Sequence, residues 1–186
     1  MAYDPDNQVL RLPKKHAPGL GTKPDPGLGR RLEAAQSLRN ALTAGLIVIV
    51  LFAFAWVALT SLTGRVFPWL SVVLGVVLGN VVRFAGKGLD WRFPVLAAAL
   101  ALTGALIGNV VISAAYTAGQ FDTSTVRILS KSTHMTWPVF FEEVLTAADY
   151  VYAAIGALVA AFYANRRLSR GEYFALRQWR DEGGTD

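Results

Sequence analysis

The sequence predicts an all-α integral membrane protein with four transmembrane helices, both termini in the cytoplasm, a juxtamembrane N-terminal helix and a short amphipathic C-terminal helix. Three observations support this prediction. Of the 186 residues, 53% are hydrophobic, and the mean hydropathy of +0.38 exceeds what one soluble core needs. The apolar residues form long blocks, and a block of about 20 residues can cross the hydrocarbon layer. Lysine and arginine flank these blocks unevenly.

The four predicted spans are the segments that combine length with few charges. They cover residues 41–64, 66–82, 93–116 and 138–165. No charged residue lies between Arg39 and Arg65, so the first span has the clearest pattern. The second span is short, but the aromatic residues at its entrance suit the interfacial zone of a bilayer. The fourth span is the least apolar because three acidic residues interrupt it.

Orientation is predicted from lysine and arginine, which collect on the cytoplasmic side of membrane proteins. The N-terminal tail carries seven of them, the loop between spans two and three carries three, and the C-terminal tail carries five. The opposite side carries only Arg65, Arg127 and Lys131. We therefore predict a bacterial-type inner membrane protein with both termini cytoplasmic.

Two tails flank the predicted transmembrane domain of residues 30–165. Residues 1–29 are rich in proline and glycine and are expected to form an extended or disordered cytoplasmic tail. From Arg30 the apolar residues recur at helical spacing, which predicts the juxtamembrane helix. Residues 166–186 form the second cytoplasmic tail, in which Tyr173, Leu176 and Trp179 share one face of a short helix. That face suits either the inner headgroup layer or a partner protein.

The composition excludes several functional classes. The chain has no cysteine, and its only histidines are His16 and His134, so neither a thiolate site nor a haem held by two core histidines is expected. Phosphate-binding, dinucleotide-binding, zinc-protease and serine-hydrolase motifs are absent. We predict no enzymatic activity, no cofactor and no metal. The basic residues flank spans, so the chain's net charge of +5 indicates binding to lipid headgroups rather than to nucleic acid.

Asp149 is the clearest candidate for a functional side chain. An acidic group inside a span is costly and often functional. Ala153, Gly156 and Ala160 follow it on one helical stripe, which predicts that Asp149 faces the bundle interior. Glu142 lies on the same stripe, so the two acids could form a path for protons or cations. Alternatively, Asp149 only fixes helix packing, for example through a hydrogen bond with Asn109 in the third span.

Two similar motifs in spans two and three predict close helix contacts. The segments Gly75 to Val82 and Gly104 to Val111 share five of eight residues. Each contains a GxxxG pair (Gly75 and Gly79; Gly104 and Gly108) followed by an asparagine, Asn80 or Asn109. Such glycines let helix backbones approach, and the asparagine can hydrogen-bond across the contact. An inverted repeat of the transporter kind would also place these motifs in opposite leaflets, but small and branched residues dominate membrane helices and can repeat by chance.

These patterns leave two functional hypotheses. The first is a small non-enzymatic subunit or scaffold of a larger inner-membrane assembly, in contact with the lipid bilayer and with other membrane subunits or copies of itself. The second is a small homo-oligomeric transporter or channel that uses Asp149 for protons or cations. Four helices enclose little space, so a pore would need several copies.

Overall fold

The structure, a computed structural model, describes residues 27–132 and 145–183. Within these residues it contains helices and no strand, which confirms the predicted all-helical fold. The helices are α1 (Leu28–Ala34), α2 (Leu38–Thr63), α3 (Leu70–Gly86), α4 (Arg92–Gln120), α5 (Thr125–Ser132), α6 (Ala147–Ala164) and α7 (Arg170–Asp181). They divide into two units, a bundle of residues 35–167 and a terminal pair formed by α1 and α7.

Three helices are long and apolar enough to cross a membrane. They are α2, α4 and α6, with mean hydropathies of 2.6, 2.3 and 1.5 over their most apolar stretches. The fourth apolar helix, α3, has 17 residues and is shorter than a typical span. The prediction of apolar helices of membrane length is confirmed for these three.

Local capping explains where the helices begin and end. At the start of α2, the Asn40 amide donates to Ser37 Oγ at 3.2 Å, which satisfies one of the free amides of the first turn. Gly64 follows the last residue of this helix as its C-cap, and its φ of 63° is a left-handed conformation that glycine adopts without strain. Proline at position 94 lies in the first turn of α4, where its missing amide hydrogen removes no helical bond.

The bundle consists of two parallel helix pairs that run in opposite directions. In the first pair, α2 and α4, a Cβ atom added at Gly45 would lie 2.6 Å from Leu100 Cδ1, and one at Gly104 would lie 3.0 Å from Ile49 Cγ1. Residue numbers therefore increase together along the two helices. In the second pair, Gly75 of α3 contacts Gly156 of α6, and Gly79 contacts Ala160. Residue numbers again increase together, so α3 and α6 are parallel as well.

One end of the bundle gathers the beginnings of α2 and α4 and the ends of α3 and α6. The Ser37 amide donates to the Gly86 carbonyl at 2.9 Å, and the Arg166 amide donates to the Gly88 carbonyl at 3.0 Å. We call this the basic end, because six basic residues lie in or beside its segments, namely Arg39, Arg83, Lys87, Arg92, Arg166 and Arg167. The opposite end, where α2 and α4 finish and α3 and α6 begin, is called the far end.

Apolar and small residues fill the bundle toward the basic end. The core cluster comprises Ala41, Leu74, Leu78, Val82, Phe93, Ala97, Leu100, Ala101, Ala160 and Ala164. Half of these residues are alanines, which allow helices to pack closely in an apolar solvent.

The terminal pair is held by a close contact between α1 and α7. A Cβ atom added at Gly29 would lie 2.5 Å from both the Ala175 carbonyl oxygen and Trp179 Cβ. An ion pair between Arg180 and Glu33, with an N–O distance of 3.4 Å, adds to this contact. Ser169 caps α7, since its Oγ accepts from the Glu172 amide at 3.3 Å, and its own amide donates to Glu172 Oε2 at 2.8 Å. The predicted C-terminal helix thus has α1 as a partner.

The structure differs from the predicted spans at several boundaries. Helix α3 covers Leu70–Gly86 rather than the predicted residues 66–82. Helix α4 continues to Gln120 and is followed by the short helix α5, so part of the segment between the third and fourth predicted spans, residues 117–137, is helical. The Thr117 hydroxyl donates to the Ser113 carbonyl at 2.9 Å, so this polar side chain is hydrogen-bonded within the continued helix. The fourth predicted span began at Pro138, but Leu145 and Thr146 are not helical and α6 begins at Ala147.

Candidate functional site

Buried polar side chains without hydrogen-bond partners lie in the half of the bundle nearer the far end. Among the described residues of the bundle, the unpartnered atoms are Trp56 Nε1, Thr60 Oγ1, Ser71 Oγ and both polar atoms of the Asn109 amide. Leaving a buried polar group unpaired costs about 1–3 kcal/mol. Such a group therefore points to a missing partner, such as water, lipid or ligand, or to a destabilised site.

Trp56 is the largest side chain in this region and is only 2% exposed. Its ring lies against α4 at Gly108, where an added Cβ atom would lie 3.4 Å from Trp56 Cζ3. Phe52 meets the Trp56 ring edge to face, with 5.9 Å between the ring centroids. Gly104 and Gly108 thus accommodate side chains rather than a second backbone, from α2 at both positions and also from Leu74 of α3 at Gly104.

Gly75, Gly79 and Gly156 form a different kind of contact, in which α3 and α6 approach backbone to backbone. An added Cβ atom would lie 2.6 Å from the Ala160 carbonyl oxygen at Gly79, and 2.5 Å from the Ser71 carbonyl oxygen at Gly156. Real Cβ atoms do not come that close, so only glycine fits these positions. The two GxxxG pairs are therefore alike in sequence but act differently.

Asp149 lies in the first turn of α6 and is 6% exposed. Its Oδ2 atom accepts hydrogen bonds from the Thr146 amide at 2.8 Å and from the Thr146 hydroxyl at 2.7 Å. A carboxylate in this position also interacts favourably with the positive end of the helix dipole. Asp149 is the third residue of α6, and its bonds from Thr146, the residue before the helix, make it a capping residue.

The proposed hydrogen bond between Asp149 and Asn109 is not formed. Asn109 is 3% exposed, and neither atom of its amide has a partner among the described residues. Asn80, the asparagine of the other GxxxG motif, donates to the Val76 carbonyl of its own helix at 2.8 Å. Neither asparagine therefore hydrogen-bonds across a helix contact. Glu142 lies outside the described residues.

A cleft opens between the C-terminal ends of α2 and α4. Its volume is about 380 Å³. It is lined by Thr60, Ser61, Gly64, Ala115, Tyr116, Gly119 and Gln120. Sequence reasoning did not identify this site, because the two segments are far apart in the chain and become neighbours only when α2 and α4 pair in parallel. The available signal was a group of small and uncharged polar residues at the end of each helix.

The described residues contain no group of three or more histidine or acidic side chains placed to hold a metal ion. No protein-family model, curated protein or solved structure matches the chain. The fold therefore defines a class only, an all-helical protein with three helices long and apolar enough to cross a membrane.

Proposed function

We propose that the chain is a small, non-enzymatic, four-span membrane subunit that helps to hold a larger inner-membrane assembly together. Both termini would lie in the cytoplasm. Residue 37 bonds Gly86 at the end of α3, and residue 166 bonds Gly88 just after it, so both ends of the bundle segment lie at the basic end. This arrangement supports the proposed topology. Positive residues favour the cytoplasmic side, and this end has six of them.

The observation that carries the proposal is the closed, apolar core at the basic end. Val82, Phe93 and Ala97 are at most 2% exposed and pack in one cluster. A path for protons or cations would have to continue through this half of the bundle, and charged species need polar groups along their way. This packing favours a structural subunit over a conduit within one chain.

Helix α2 supplies the broadest surface for a partner. Only Ala41, Gly45, Trp56 and Thr60 of its 26 residues are buried. Phe54 and Leu51 are exposed by 72% and 63%. This apolar face can contact lipid tails, a second copy of the chain or another membrane protein, and the experiment must separate these occupants.

A photoreactive amino acid at position 54 tests the proposal in native membranes, with position 56 as the matched control. Both positions are aromatic residues of α2, but Trp56 is only 2% exposed. We expect the probe at position 54 to crosslink one foreign membrane protein in stoichiometric amount, and the buried probe to crosslink none. Crosslinks to lipid alone, or to copies of the same chain alone, would contradict a subunit role.

Transport is the second candidate, and the buried polar groups near the far end favour it. In that case Asp149 would carry protons or cations, and Asp149→Asn would abolish flux in reconstituted vesicles while the protein stayed folded. The two hydrogen bonds from Thr146 already engage its carboxylate, which supports a capping role instead. Equal flux for the parent and Asp149→Asn, above empty vesicles, would exclude Asp149 as the carrier.

A further inference from the structure

We propose that the cleft between the C-terminal ends of α2 and α4 binds the neutral glycerol headgroup of a diacylglycerol-type lipid. This goes beyond a subunit role and rests only on the proposed membrane placement of the bundle. The cleft volume of about 380 Å³ lies within the range of about 300–1,000 Å³ typical of small-molecule sites.

The lining of the cleft defines the chemistry of its ligand. Thr60, Tyr116 and Gln120 contribute hydroxyl and amide groups, and the described residues that line the cleft include no charged side chain. Hydroxyl and amide groups both donate and accept hydrogen bonds, which suits the free hydroxyl and the ester carbonyls of an acylglycerol. A phosphate group would lack a counter-charge in this lining, and its burial would be costly.

Thr60 differs from three other threonines of α2 and α4. The hydroxyls of Thr43, Thr63 and Thr117 each donate to the carbonyl four residues earlier, at 3.0, 2.8 and 2.9 Å. Thr60 Oγ1 has no partner among the described residues, although Thr60 is only 2% exposed. Rotation of this side chain toward a ligand would therefore break no hydrogen bond, and the ligand would supply the missing partner.

The location of the cleft favours a lipid over a soluble molecule. Leu62, in the last turn of α2, is 85% exposed, and Tyr116, which lines the cleft on α4, is 41% exposed. Aromatic side chains near helix ends prefer the headgroup level of a bilayer. A lipid there could place its glycerol in the cleft and its acyl chains along the apolar surface of α2.

Gly119 provides the sharpest variant for a test. A Cβ atom added there meets no atom within 4 Å, so a side chain can enter open space without a clash. Gly119→Leu should therefore obstruct the cleft and preserve the fold. Thr60→Val removes only the unpartnered hydroxyl. Thr63→Val is its matched control, because the Thr63 hydroxyl is bonded to the Leu59 carbonyl.

The experiment uses the full chain in phosphatidylcholine nanodiscs with a diacylglycerol that carries a photoreactive group beside its glycerol. We expect labelling of peptides that contain residues 60–64 and 115–120, and competition by unlabelled dioleoylglycerol. Gly119→Leu should abolish the labelling. Loss of one hydrogen bond in Thr60→Val should weaken competition by about two- to tenfold, and Thr63→Val should match the parent.

Three results would overturn the proposal. They are unchanged labelling in folded Gly119→Leu, equal competition by dioleoylphosphatidylglycerol, which has the same acyl chains but a charged headgroup, and equal competition by free glycerol. The last result would assign the cleft to a soluble polyol. If Gly119→Leu fails to fold, equal competition in Thr60→Val and the parent contradicts the assignment. An error in the proposed membrane placement would appear separately, in the reporter-fusion test of topology.

Discussion

Gly75 and Gly156 meet where α3 and α6 cross, and a Cβ atom at Gly75 would overlap the carbonyl oxygen of Gly156. The helices can therefore contact each other only through bare backbone at this point. In an apolar solvent, where burial of apolar surface drives little association, such close packing is a main source of helix–helix attraction.

The first prediction concerns these glycines. Gly75→Ala and Gly79→Ala should each destabilise the protein by about 1–3 kcal/mol, because a methyl group would separate the two backbones. Gly108→Ala should have a smaller effect, since its methyl group would touch the Trp56 ring at 3.4 Å. Thermal unfolding in mild detergent measures the difference. Gly119→Ala serves as the control, and equal losses at positions 79 and 108 would contradict the backbone contact.

The second prediction concerns Asp149 as a cap. Asp149→Ala should cost about 0.5–2 kcal/mol, because the Thr146 amide loses its acceptor. Asp149→Asn keeps an oxygen acceptor and should lose less. A double-mutant cycle with Thr146→Ala measures the coupling through the hydroxyl bond of 2.7 Å. Additive effects of the two substitutions would mean that this bond contributes nothing to stability.

The third prediction concerns Asn109. Asn109→Leu should leave thermal stability unchanged or raise it, because the buried amide has no hydrogen-bond partner among the described residues. Asn109→Asp, of similar shape, should lower stability by adding a charge to the same site. A large loss of stability in Asn109→Leu would reveal a partner for the amide, such as a bound water or a second subunit.

The fourth prediction concerns topology. A reporter inserted after Asp122, an exposed turn residue between α4 and α5, should report the outer side of the membrane. A reporter fused to the C-terminus should report the cytoplasm. Signals from both fusions on the same side would mean that α6 does not cross, and would remove the four-span proposal. Exchanged signals, inner after Asp122 and outer at the C-terminus, would contradict the predicted orientation.

The fifth prediction concerns the terminal pair. Gly29→Leu should separate α7 from α1, because the new side chain would collide with the Ala175 backbone. Hydrogen exchange of residues 170–181 should then accelerate. Gly171→Leu is the control, since a Cβ atom at that position meets nothing within 4 Å. Arg180→Ala should change exchange only slightly, because partly exposed ion pairs contribute about 0–1 kcal/mol. Unchanged exchange in Gly29→Leu would contradict the close contact.

Local and compositional features could be read from the sequence. The apolar blocks predicted helices of membrane length, because the length needed to cross hydrocarbon depends on composition alone. Glycines at positions 75 and 79 predicted a close helix contact, because helix backbones can approach each other only where side chains are missing. The first residue of α6 was harder to predict from the sequence. Thr146 and Asp149 cap this helix, whereas apolar patterning alone would extend it toward position 138.

The sequence by itself determined the helical class, the apolar segments and the concentration of positive charge beside particular helix ends. Only the tertiary structure decided which helices are neighbours. Two nearly identical GxxxG pairs meet different partners, the backbone of α6 for Gly75 and the Trp56 ring for Gly108, because the partner depends on helix pairing rather than on the motif. The cleft beside Thr60 has the same origin, since it exists only where the ends of α2 and α4 lie side by side.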